Sequence, residues 1–179
     1  MTEPTELPVV DTVDVRSGPE VAHELLSLLP LLGEWHGEGV QAGGVDEPDR
    51  RFGQWVRFAH DGREFLAYES RTWVIDADGH PAGAAQRESG FWRARGDDGV
   101  ELLVVDPAGL VELYVGQART STSWELRSDV LAHTPDGPDA TRAVRLYGVV
   151  EGALMYAIDR AAGDAPPRPT MSARLDRLR

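Results

Sequence analysis

The side chains with the widest chemical reach in this chain are five histidines, His23, His36, His60, His80 and His133, and a surplus of carboxylates. No two histidines form a His-x-His or His-x-x-x-His pair, so no dedicated metal centre is expected. Cysteine is absent, which excludes disulfides and thiolate catalysis. There is no Gly-x-Ser-x-Gly nucleophile elbow and no phosphate-cradling Gly-x-x-x-x-Gly-Lys run. The carboxylates are scattered along an acidic chain, and no pair reads as a glycosidase couple. No residue is therefore assigned a catalytic role. The informative run is Gly33-Glu34-Trp35-His36-Gly37-Glu38-Gly39. With the strand period of two, Gly33, Trp35, Gly37 and Gly39 share one face, and Glu34, His36 and Glu38 share the outer one. Glycines on one strand face make sense where a second backbone or a flat ligand comes close, or where a strand bends.

The elements that must position these residues read as strands joined by tight turns. Residues 1–16 lack apolar periodicity and are read as a mobile arm, leaving 17–179 as one domain. Ser17-Gly18-Pro19-Glu20 resembles a helix start, with Ser17 as cap and Glu20 closing a capping box. The apolar stripe Val21, Leu25, Leu28, Leu29 continues that helix, Pro30 ends it, and it is placed as a lid on one barrel end. Strands are expected near 33–41, 51–60, 63–74, 84–94, 100–106, 110–118, 122–131, 141–150, 153–160 and 170–178. Asp61-Gly62, Asp78-Gly79, Asp98-Gly99 and Glu151-Gly152 punctuate them. Short links imply an up-and-down antiparallel meander, and ten such strands close into a barrel wide enough to hold a cavity.

The 179 residues carry 30 acidic and 18 basic side chains, a formal charge of −12. That balance argues against nucleic-acid and anionic-membrane partners. The N-terminus does not resemble a signal peptide, and no apolar stretch is long enough to cross a bilayer as a helix, so a cytoplasmic protein is expected. Oligomeric state is left open.

The glycine-tryptophan run resembles the G-x-W-x-G-x-G signature of the nitrobindins. Further segments match in order: Leu29-Pro30-Leu31-Leu32, Phe58-Ala59-His60-Asp61-Gly62, Phe65-Leu66-Ala67-Tyr68, Arg71-Thr72-Trp73, Glu88-Ser89-Gly90-Phe91, Pro107-Ala108-Gly109-Leu110-Val111-Glu112 and Pro169-Thr170-Met171-Ser172-Ala173-Arg174-Leu175. The resemblance implies an all-β, ten-stranded antiparallel barrel similar to fatty-acid-binding proteins, with haem b near its mouth. Members bind nitric oxide or isomerise peroxynitrite to nitrate. The family's axial histidine follows the proline matching Pro169, where this chain has Thr170. The family's second histidine lies two residues before the glutamate matching Glu88, where this chain has Gln86.

Both replacements shift the expectation away from haem. Thr170, Gln86, Asp106, Arg160 and Met171 are expected to line the pocket, and Thr170, Gln86, Asp106 and Arg160 together would make it more polar than a haem pocket. A bulge at Pro169 would change the direction of Thr170, which simple alternation sets opposite Met171, Ala173 and Leu175. The chain is thus read as a nitrobindin-like barrel without haem-iron ligation, with no cofactor and a small-molecule ligand as possible partner. The alternative is a ferric haem b protein with an unorthodox axial ligand among Met171, Tyr68, Tyr147, Tyr156 and His60.

Overall fold

The computed structural model describes residues 9–44, 47–96 and 98–178. A 3-10 helix, His23–Leu31, precedes ten strands. These are β1 (Gly33–Gln41), β2 (Arg50–Ala59), β3 (Leu66–Ile75), β4 (Pro81–Arg95), β5 (Gly99–Val105), β6 (Leu110–Thr120), β7 (Ser123–His133), β8 (Arg142–Val150), β9 (Ala153–Ala161) and β10 (Arg168–Arg177). Each strand pairs antiparallel with its sequence neighbour, and β1 pairs with β10 to close the barrel. The expected all-β meander is therefore the fold, with strand ends displaced by a few residues.

The helix departs from its expected start. It begins at His23 with Ala22 before it and no side-chain cap. Gly18 adopts φ +87°, a left-handed conformation that an α-helix through Ser17–Glu20 cannot contain. Pro30 lies inside the element rather than after it. Leu25, Leu28 and Leu31 are fully buried, and their spacing of three matches the three-residue turn of a 3-10 helix. The helix covers the barrel end where β1 begins and β10 finishes. There Arg177 donates to the carbonyls of Pro30 (2.8 Å) and Leu32.

Residues 1–8 of the expected arm lie outside the described residues. Thr12 forms a two-way backbone bridge with His60, its N–H donating to the His60 carbonyl at 2.8 Å and its carbonyl accepting the His60 N–H at 2.9 Å.

The inner glycine face of β1 marks close approaches. A Cβ added to Gly37 would run into the Arg174 carbonyl and sit 2.8 Å from the Leu175 Cα, because β10 crosses there. A Cβ at Gly39 would strike the Phe52 ring and the Ser172 carbonyl. Trp35, fully buried, donates Nε1–H to the Leu31 carbonyl at 2.8 Å under the Arg177 guanidinium, 4.0 Å from the ring centroid.

The interior is layered. Its closed end is apolar, with Leu25, Phe58, Leu66, Trp92, Trp124 and Leu154 filling the space. Toward the open end it turns polar, and β6 shows the change within one strand. Glu112 and Tyr114 face inward and are buried, whereas Val111 and Val115 face solvent at 52% and 46% exposure.

Candidate ligand-binding site at the barrel mouth

A cavity of about 710 Å³ opens at the end opposite the helix. That is within the size range of small-molecule sites, and barrel mouths are frequent places for them. Thr170, Gln86, Asp106, Arg160 and Met171 all line it. Strands β9 and β10 supply one wall, β4 a second, and the turn between β5 and β6 a third.

The wall around Thr170 is shaped by a bulge. Register passes from Pro169 opposite Asp159 directly to Met171 opposite Ile158, leaving Thr170 without a partner. The extra residue lets Thr170 and Met171 both border the cavity despite being adjacent. The Thr170 hydroxyl donates to the Ile158 carbonyl at 2.8 Å and is spent on its own wall. Across the mouth, β4 slips register against β3 between Arg71 and Trp73, and the Gln86 N–H donates to the Thr72 hydroxyl at 2.9 Å. Asp106 accepts the Leu110 N–H on Oδ1 at 3.1 Å and holds the β5–β6 turn.

Arg160 turns down into a charged floor. It makes a two-point pair with Glu112, at 2.6 Å from Nη1 and 3.1 Å from Nη2. Glu112 also receives Arg145 Nη2 at 2.5 Å and the Tyr114 hydroxyl at 2.8 Å. Arg145, with no solvent exposure, reaches Glu88 through both terminal nitrogens, at 2.8 and 3.1 Å. Glu88 in turn accepts the Tyr68 hydroxyl at 2.8 Å. Two cations and two anions thus neutralise each other inside the barrel, which is the condition for tolerating buried charge.

All four tyrosines of the chain line this interior. Tyr147 stacks on Tyr156, with centroids 5.5 Å apart, and Tyr156 donates to Gln54 at 2.7 Å. Burial raises the phenol pKa of Tyr68, Tyr114, Tyr147 and Tyr156, so each stays protonated and donates. Burial alone would raise Glu88 too, but the Arg145 charge and its hydrogen bonds bring that carboxyl below its ordinary range.

The histidines are elsewhere. His60 is fully buried near the closed end, where its Nδ1 accepts the Gly62 N–H at 3.3 Å. His36 stacks outside the barrel on Trp73, centroids 5.5 Å apart. His23, His80 and His133 are exposed and do not border the cavity. Asp76, Asp78 and His80 converge in the β3–β4 turn, all exposed. Asp76 is engaged there as a turn former, accepting the N–H groups of Asp78 and His80.

The five residues nominated through the resemblance border the cavity, and the charged floor lies among residues it did not nominate. Glu112 and Arg145 were not singled out, although a charged residue on the strand face of Leu110 and Tyr114 was a visible signal.

The family model for the THAP4-like, heme-binding β-barrel domain matches residues 24–177. The ferric nitrobindin-like protein of Saccharopolyspora erythraea is 46% identical, over 97% of this chain and 82% of the relative. Peroxynitrite isomerase 2 of Rhodococcus jostii is 44% identical, over 93% of this chain and 82% of the relative. The crystal structure of Rv2717c from M. tuberculosis superposes with a TM-score of 0.78 at 30% identity, covering 89% of this chain and all of that one. With the glycine-tryptophan strand, the closed ten-stranded barrel and these matches together, the chain belongs to the nitrobindin-like family of THAP4-type haem-binding β-barrels.

Proposed function

We propose that this protein is a nitrobindin-like barrel that has lost haem-iron ligation and holds a small, partly polar organic molecule in its mouth. The observation that carries this reading is Thr170. It occupies the place that the resemblance gives to the axial histidine, and its hydroxyl is committed to the Ile158 carbonyl. Haem retention rests on apolar burial and an axial ligand. Among the described residues that line the mouth there is no histidine or tyrosine, and beneath them lies the Arg145–Glu88–Glu112–Arg160 network. Apart from Met171, these residues supply no axial ligand for haem iron.

A second reading has one observation in its favour. Met171 borders the cavity, and methionine sulfur is a known axial ligand. The relatives named peroxynitrite isomerase make a ferric haem protein with this substitute ligand the alternative.

A hemin titration separates the two. The parent protein is expected to give no sharp Soret band that survives gel filtration at one-to-one stoichiometry, and Thr170→His is expected to create one. A stable one-to-one Soret band from the parent would overturn the first reading, and its loss in Met171→Leu would assign the iron to that sulfur. The measurement is of pigment binding, so it needs no assumption about activity.

A further inference from the structure

We propose that the ligand of this cavity is an amphipathic monoanion whose acid group is held on the β9–β10 wall by Arg168 together with Arg160. The proposal rests on the reading of the mouth as a binding cavity and adds the chemical class of what enters it.

Arg160 and Arg168 face each other directly across the β9–β10 ladder, and both border the cavity. Like charges directly opposite on one sheet face are destabilising unless something compensates them. Glu112 compensates Arg160. Among the described residues, no carboxylate lies within ion-pairing distance of Arg168, so its charge faces the cavity unanswered. Below it, Glu88 and Glu112 balance Arg145 and Arg160, and the wall is left with a single positive charge in excess.

Arg160 can contribute to a bound acid without leaving Glu112 bare. Glu112 keeps the Arg145 guanidinium and the Tyr114 hydroxyl in either case. A guanidinium also presents more N–H donors than Glu112 uses, in a planar fork suited to a carboxylate or sulfonate. Two carboxylates stand on the rim, Asp139 in the loop between β7 and β8 and Asp106 across from this wall. Asp106 stands at the end of β5, five strands from β10 in either direction round the closed ring. An acid group is therefore drawn to the arginine wall and repelled from the opposite rim. The rest of the lining includes Ile158, Met171, Leu110, Pro107 and Ala108, surfaces suited to an aliphatic or aromatic skeleton. Because the chain as a whole carries −12, its surface at large repels anions, and an anion retained at one-to-one stoichiometry reports a local site.

The test uses two fluorescent probes with the same aromatic skeleton, anilinonaphthalene sulfonate (anionic) and phenylnaphthylamine (neutral). The sulfonate is expected to bind at one site, with about tenfold loss in Arg168→Gln, since one charge-assisted contact is removed. Arg168→Lys should retain most of the affinity, and the neutral probe should bind both variants like the parent. A medium-chain fatty acid should displace the sulfonate. Near-ultraviolet circular dichroism of each variant confirms native packing, so that probe binding to a loosened interior is recognised. Equal sulfonate affinity in parent and Arg168→Gln would overturn the anion proposal while leaving the cavity reading in place. If neither probe binds the natively packed parent, the cavity reading itself is overturned.

Discussion

At the scale of single residues, Arg145 has the largest consequences. It is enclosed completely and answers two carboxylates, the buried Glu112 and the partly exposed Glu88. Arg145→Met would keep much of its volume but leave Glu88 and Glu112 facing each other with only Arg160 as cation. Breaking a buried ion network by removing one partner costs about 3–5 kcal/mol, and urea unfolding should register a loss of that size. Adding Glu88→Gln and Glu112→Gln to the same chain should restore a substantial part of it, since the penalty comes from uncompensated charge. If the single variant melts like the parent, the network contributes nothing to stability. Two residues of the interior also contribute to the pH response. Burial lowers the pKa of His60, opposed by Asp61 and Asp11. The folded state therefore refuses a proton that the unfolded chain accepts below about pH 6.5, and stability falls as pH drops through that window. Glu88, held below its ordinary range, contributes stability that is present above about pH 4.3 and lost as pH falls through its folded value. Thermal melts at successive pH values should show the first decline between about pH 7 and 5, and His60→Gln should flatten it. An unchanged slope in that variant would reassign the decline to other groups.

At the scale of elements, the first strand is where sequence and tertiary structure agree most closely. Its inner face is glycine because β10 and the Phe52 ring come within contact of the backbone. Gly37→Val requires β1 and β10 to separate, and a cost of roughly 1–3 kcal/mol is expected from overpacking. Trp35→Ala should cost roughly 3–5 kcal/mol, the range for emptying a large buried aromatic site. Differential scanning calorimetry checks both. A Gly37→Val protein melting within a degree or two of the parent would show that the strand pair yields without strain. The 3-10 helix teaches the opposite lesson. Its stripe of leucines was visible, but their spacing of three fits a tighter helix than the α-helix expected from the Ser17 start.

At the scale of the molecule, closure is the decisive event. The seam joins β1 to β10, elements at opposite ends of the chain. Until that pairing forms, both strands present unpaired backbone edges, which are templates for aggregation. A chain ending at Gly163 lacks β10 entirely and exposes β1 and β9 together. Size-exclusion chromatography should find it aggregated or insoluble, whereas the parent elutes as a defined species. A monomeric, cooperatively melting truncation would mean that nine strands can reclose without the tenth.

The sequence by itself determined the strand count, their order, the meander and the family. These depend on local alternation, turn residues and short links, all of which are contiguous in the chain. It also nominated the five rim residues, through the resemblance and not through any spacing of their own. Only the tertiary structure decided what lies beneath them. Arg145, Glu88 and Glu112 come from β8, β4 and β6, and no local pattern ties them together. Their pairing exists because barrel closure points all three inward at one height, in a space where each charge must find its opposite or go unanswered. The direction of Thr170 was likewise open until the bulge after Pro169 fixed it, since one unpaired residue reverses which face a strand presents.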